Sequence, residues 1–242
     1  MTFDPFPAEL ATCRRCPRLA EHREAVAEKK RKAYASDTYW GQPVPGFGDV
    51  SAKLLILGLA PGAHGSNRTG RMFTGDASGN FLYPALHRAG LASQAEATSR
   101  DDGLTLAGVF ITAAARCVPP GNKPARAELA TCRDWLEYDL HHLPHLTLVL
   151  ALGSIAHDSY LELLKARGHA ITKSHYPFAH DALHTFSHLH TFSQATLKDT
   201  SGDPLPMLDA YHVSFQNTNT GKLTEVMFDE TVARAKTLAG LS

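Results

Sequence analysis

The stretch Gly58-Leu59-Ala60-Pro61-Gly62-Ala63-His64-Gly65-Ser66-Asn67-Arg68-Thr69-Gly70-Arg71-Met72-Phe73-Thr74-Gly75-Asp76 constrains this chain more than any other. It follows Lys53-Leu54-Leu55-Ile56-Leu57, an apolar run that reads as a buried parallel strand. It precedes Phe81 to Ala89, which reads as a helix. A strand therefore feeds a long glycine-punctuated loop that ends in a helix. In open α/β sheets ligands bind beyond the carboxyl ends of strands, and glycine lets backbone come close to them. Asn67, Arg68, Arg71, Phe73 and Asp76 add a mixture that few purely structural loops hold.

The same grammar recurs downstream. Val109-Phe110-Ile111-Thr112 reads as a second strand, and it runs into Cys117-Val118-Pro119-Pro120-Gly121-Asn122-Lys123-Pro124. Pro and Gly stop regular structure there, so Asn122 and Lys123 fall on a loop at the same sheet edge. Arg126 to Leu140 reads as a helix carrying Cys132. Leu146 to Leu152 reads as a third strand that Gly153-Ser154 turns into a helix over Ile155 to Ala166. Met207 to Tyr211 reads as a short strand before the polar loop His212 to Thr224. The helix Thr224 to Ala239 follows, with Leu223, Met227, Thr231, Ala235 and Leu238 as a core stripe. Upstream, Leu19 to Ala35 looks helical, and Trp40 and Phe47 in a Gly/Pro-rich loop read as packing residues or a wall of the site. Alternating strands and helices predict an α/β fold whose mainly parallel sheet is covered on both faces. No internal repeat or domain boundary breaks residues 1–242, so one domain is expected, with segment 1–35 packed on it.

The cysteines are Cys13, Cys16, Cys117 and Cys132. A C-x2-C pair points two sulfurs at one centre. Four is also the count for one all-cysteine site. A zinc ribbon prefers two tight pairs, whereas a [4Fe–4S] cluster needs only four thiolates. Spacing alone leaves iron–sulfur, zinc and unrelated free thiols open. Disulfides are not expected, because the start of the chain, Met1 to Glu9, shows no secretory signal and a cytoplasmic protein is the default. No apolar run is long enough to span a membrane, and 43% hydrophobic residues suffice for a sizeable core.

Net charge is zero, but it is unevenly spread. Arg14 to Lys32 holds eight basic and three acidic residues. Such a patch fits a phosphate backbone, or is simply a solvated helix face. His169, His175, His180, His184, His188 and His190 make a second bias. His180, His184 and His188 would share one face if helical. A structural role is the expectation for them, with metal binding as the alternative.

Three segments together carry a family resemblance: the Gly58–Asp76 stretch, Cys117-Val118-Pro119-Pro120-Gly121-Asn122-Lys123-Pro124, and His212-Val213-Ser214-Phe215-Gln216-Asn217-Thr218-Asn219-Thr220-Gly221. The chain resembles the family 5 uracil-DNA glycosylases from Cys13 to about Thr224, and its four cysteines match the iron–sulfur ligand positions of families 4 and 5. The resemblance implies a three-layer α/β/α fold with a central four-stranded parallel sheet. It implies hydrolysis of the N-glycosidic bond of a damaged base in double-stranded or single-stranded DNA, leaving an abasic site, and a [4Fe–4S] cluster on Cys13, Cys16, Cys117 and Cys132. A monomer is expected. Family 4 relatives carry an acidic residue where Leu59 stands and Asn near Ala113. Both departures point to family 5 and to tolerance of hypoxanthine and xanthine beside uracil.

A glycosylase must take its nucleotide out of the stack. Phe73 matches the family's stacking position, with a core aromatic as the plain alternative. His212 matches the family's donor to the departing base, whose developing charge such a donor stabilises. With Leu59 unable to act, Asp76 is the candidate to orient water and face the sugar cation, and Asn122 is the second such group. Asp76 could equally be a helix N-cap. Gly62, Ala63 and His64 are expected to contact base or phosphate, and Ser214, Gln216 and Asn217 to meet the duplex. Lys123 could attack as an amine, although the resemblance favours simple hydrolysis. The cluster is expected to be structural, turning Arg14, Arg15 and the following helix toward DNA. The rival readings are a non-catalytic, metal-stapled nucleic-acid binding module and an iron–sulfur redox or sensor protein.

Overall fold

The computed structural model describes residues 4, 6–186 and 204–242. After the single turn α1 (Ala8–Ala11), helix α2 (Pro17–Lys29) starts at a proline whose fixed φ suits a first helical position. The helix expected to reach Ala35 stops early. Lys30 turns the chain at φ 52°, and a short 3-10 turn occupies Lys32–Tyr34. Next come β1 (Phe47–Gly48), β2 (Leu54–Gly58), α3 (Ser66–Thr69), α4 (Gly79–Arg88) and β3 (Val109–Ala113). The chain continues through α5 (Arg126–His142), β4 (Leu148–Leu152), α6 (Ser154–Ala166), β5 (Leu183–His184), β6 (Met207–Ala210), α7 (Phe215–Asn219) and α8 (Glu225–Leu238).

The strands form one sheet of order β1-β3-β2-β4-β6-β5. Its centre is the parallel set β3, β2, β4 and β6. The expected four strands are corrected to six, because β1 and β5 add antiparallel edges. Two-residue strands have no periodicity of their own. Phe47 and Gly48 are recruited by Ile111 and Phe110, and Leu183 and His184 by Leu208 and Met207. Strand β5 also removes the helical face on which His180 and His184 would align. His188 and His190 lie outside the described residues.

Every residue of the four central strands is buried, as a sheet covered on both sides requires. Side chains alternate between two cores. Leu54 and Ile56 pack with residues of α4 and α8, and Leu55 and Leu57 with residues of α5 and α6. Helix α5 is pinned to the sheet by a buried ion pair between Arg116 and Asp139, whose carboxylate also accepts from Thr112 Oγ1 at 2.6 Å. Gly58 pairs in register with Ala113, so the loops after β2 and β3 leave side by side. The loop after β6 leaves the same rim two strands away. Among the described residues no helix is long and apolar enough to cross a membrane.

Candidate active site

The loop after β2 is braced by its own polar residues. Arg68 donates to the His64 carbonyl at 2.7 Å, to the Gly75 carbonyl at 3.1 Å and to Asp37 at 2.8 Å. Arg71 makes a two-pronged pair with Asp102 at 2.7 and 2.6 Å and donates to Thr74 Oγ1 at 2.9 Å. Asn67 is wholly buried, with Nδ2 on the Arg23 carbonyl at 3.1 Å. These three residues hold the loop's shape, while His64, Phe73 and Asp76 of the same loop face a cavity.

That cavity, of about 650 Å³, opens at the C-terminal rim of the sheet. Phe73, Asp76, Asn122 and His212 all line it, together with Gly62, Ala63, His64, Ser214 and Gln216. Asn217 does not. Its Nδ2 donates to the His212 carbonyl at 2.8 Å, and its backbone N–H donates to Ser214 Oγ, which caps α7. Asn217 thus shapes the loop that carries His212. Lys123 is also absent from the lining, while its carbonyl accepts from Arg18 at 3.2 Å.

Phe73 has φ 52° and Asn122 φ 57°, two of the four non-glycine residues with left-handed backbone among those described. For a bulky side chain that conformation costs on the order of 1–3 kcal/mol, and such residues gather at functional sites. Phe73 is admitted by the bare backbone of Gly58, where a Cβ would lie 2.8 Å from the ring's Cζ. Its ring centroid is 6.2 Å from that of His212.

Asp76 divides its two oxygens. Oδ1 accepts the N–H groups of Ser78 and Gly79, each at 3.1 Å, and so caps the start of α4. Oδ2 lies against the backbone of Gly62 and Gly65, where any Cβ would collide with it. Both the capping reading and the cavity reading are therefore present in one side chain. Burial raises the Asp76 pKa, against the pull of the two amides and of Arg68. Burial holds His212 down to about 4, so its imidazole is neutral near pH 7. Burial, then the charges of Arg31 and Arg68, lower His64, whose Nδ1 meets the Tyr39 hydroxyl at 3.0 Å.

Arg31 and Tyr34 also line the cavity, and the motif reading did not single them out. The available signal was the basic run that contains Arg31. The run itself divides. Arg14 pairs with Glu24, Arg15 with Asp134 at 2.5 Å and Arg18 with Glu128 at 2.6 Å, so the last two fasten this segment to α5. Arg31 has no ion-pair partner among the described residues.

Cys13, Cys16, Cys117 and Cys132 come together around one small cavity with Arg23 and Arg116, although 100 residues separate the two pairs in sequence. Arg23 Nη1 donates to Cys117 Sγ at 3.0 Å, and the Arg116 N–H to Cys132 Sγ at 3.3 Å. Burial pushes the Cys132 thiol up to about 12 and raises Cys117 and Cys16. Burial also raises Cys13, but hydrogen bonds from Arg15 outweigh it and leave this thiol below its usual value.

The family model of the uracil DNA glycosylase superfamily matches residues 45–236, a span that carries the sheet and most of the residues lining its rim cavity. Full-length relatives narrow the placement. A type-5 uracil-DNA glycosylase of Thermus thermophilus is 49% identical over all of both chains. One from Mycobacterium bovis is 44% identical, covering 97% of this chain and 81% of its own. One from Pyrobaculum aerophilum is 39% identical over 98% of this chain and 94% of its own. The chain belongs to the type-5 family of these glycosylases.

Proposed function

We infer that this protein hydrolyses the N-glycosidic bond of uracil, and also of hypoxanthine and xanthine, in DNA. The observation that carries the reading is the convergence of Phe73, Asp76, Asn122 and His212 on one cavity at the sheet rim. The nucleotide turns out of the stack, and its base lies against Phe73. As the glycosidic bond breaks, its electron pair leaves with the base. Neutral His212 donates an N–H to the base oxygen where that charge develops. A water held by Asp76 Oδ2 and Asn122 attacks C1′, and its proton passes to solvent through the carboxylate. Ala113 stands at the cavity in place of an amide, which leaves room for purines. Phe215, 64% exposed at the cavity mouth, fills the gap left in the duplex. The family resemblance favours hydrolysis over a lyase step through Lys123, which is not among the lining residues.

The four cysteines hold a [4Fe–4S] cluster in this reading. The gathering of all four thiols at one small cavity, with N–H donors aimed at two of them, supports a centre held by the four cysteines together. A cluster there supplies a cross-link among the start of α2, the loop after β3, and α5. The protein acts on DNA as a cytoplasmic monomer. The test is base release from duplexes holding uracil, hypoxanthine or xanthine, followed by alkaline cleavage. Release of all three, reduced at least 100-fold by Asp76→Ala, is expected. No release of any base, or an Asp76→Ala protein as fast as the parent, overturns the assignment.

A further inference from the structure

The geometry points to a second metal site, formed by His157, His184 and Asp209, that takes a zinc-like divalent cation and serves structure rather than chemistry. Helix α6, strand β5 and strand β6 contribute one residue each, and all three are buried. Their ligand atoms lie within 4.8 Å of one another, the only such trio of His, Cys, Asp or Glu among the described residues. The carboxylate is shared evenly. Oδ1 meets His157 Nδ1 at 2.9 Å, and Oδ2 meets His184 Nε2 at 2.9 Å. Two oxygens and two imidazole nitrogens therefore converge, four donors of the kind zinc accepts.

The outer contacts agree. His157 Nε2 donates to the Tyr176 carbonyl at 3.0 Å, which places the hydrogen on that nitrogen and leaves Nδ1 to face the carboxylate. A backbone carbonyl on the far nitrogen is the usual arrangement behind a metal-bound histidine. A proton shared between Nδ1 and Oδ1 holds the contact in metal-free protein. On binding, that proton is released to solvent, and the hydrogen that His184 Nε2 donates to Oδ2 at 2.9 Å moves to Nδ1, so that the Nε2 lone pair turns to the cation. Phe178 packs edge-on against His157, with ring centroids 5.7 Å apart. None of the three ligands lines the rim cavity, so the site would clamp β5 to the sheet without touching substrate.

The test uses the purified protein with its cysteine centre intact, incubated with zinc and desalted. One zinc equivalent retained beyond the content of the cysteine centre is expected, with Tm raised by about 5 °C. Both gains should vanish in His184→Gln, whose amide can still donate to Asp209 but offers no imidazole. Should that variant fold poorly, cobalt added to the parent protein decides. Visible d–d bands without thiolate-to-cobalt charge transfer support the site. No extra equivalent, full retention by His184→Gln, or a thiolate band accounting for all the added cobalt overturns it.

Discussion

A methyl group on Gly62 would stand 2.6 Å from Asp76 Oδ2, so the bare backbone at one position decides where the carboxylate of another can lie. Gly62→Ala should therefore displace Asp76 and lower kcat about 100-fold, the loss that a 1 Å misplacement can bring. Thermal midpoint should change little. Single-turnover base release beside a melting curve checks both halves, and Asp76→Asn should lose at least as much rate.

The acid limb of the rate profile should belong to Asp76. In the proposed mechanism only its ionised form orients water, and burial raises its pKa. Activity should fall as pH drops through a midpoint above the ordinary carboxylate value of about 3.9. His212 remains neutral down to about 4 and adds no step near neutrality. Its depressed pKa affects stability with a definite sign. The unfolded chain takes up this proton from about pH 6.5 downward, and the folded one resists it until about 4, so stability is lost as pH falls across that window. Melting curves of the parent protein should fall more steeply there than those of His212→Gln.

Arg31 offers an uncompensated guanidinium at the cavity. Arg31→Ala should weaken binding of damaged duplex about 5- to 10-fold. It should also flatten the dependence of log affinity on log salt by about one, as loss of one phosphate contact does. Arg31→Lys should retain most of both. Fluorescence anisotropy over a salt series measures the two quantities together.

Cys117→Ser removes a sulfur that accepts from Arg23 and lines the centre joining α2 to α5. With the proposed cluster in place, this variant should lose iron and visible colour, its Tm should drop by about 5 °C or more, and DNA affinity should fall with it. Full folding and full affinity in this variant would contradict the structural role.

Arg71 and Asp102 are a nearly buried pair, 3% and 9% exposed at their side chains. Asp102→Ala leaves the guanidinium without its carboxylate, at a cost of about 3–5 kcal/mol. Tm should fall by on the order of 10 °C, because the loop holding Phe73 loses its brace. Differential scanning calorimetry reads this directly.

The four parallel strands were legible because each is buried on both faces and so is written as a mostly apolar run, unbroken in β2 and β4 and interrupted only by Thr112 in β3 and Asp209 in β6. The rim loops were legible through their Gly, Pro and Asn punctuation. Edge strands β1 and β5 were not, since two residues show no period and owe their shape to a neighbour. Turn α3 inside the long loop was missed for the same reason. The mixture at Asn67, Arg68 and Arg71 pointed to a site, yet these side chains serve the loop's own framework.

Local order along the chain is enough to settle which segments become strands and helices, and that Phe73, Asp76, Asn122 and His212 sit on loops at one sheet edge. Backbone propensity and burial periodicity act over a few residues and are written there. Chain folding alone settles the distances: Asp76 against Gly62, Cys13 and Cys16 beside Cys117 and Cys132, Arg31 at the cavity, and His157 and His184 on Asp209. Contacts between residues far apart in sequence depend on strand order and helix packing, which no short stretch encodes.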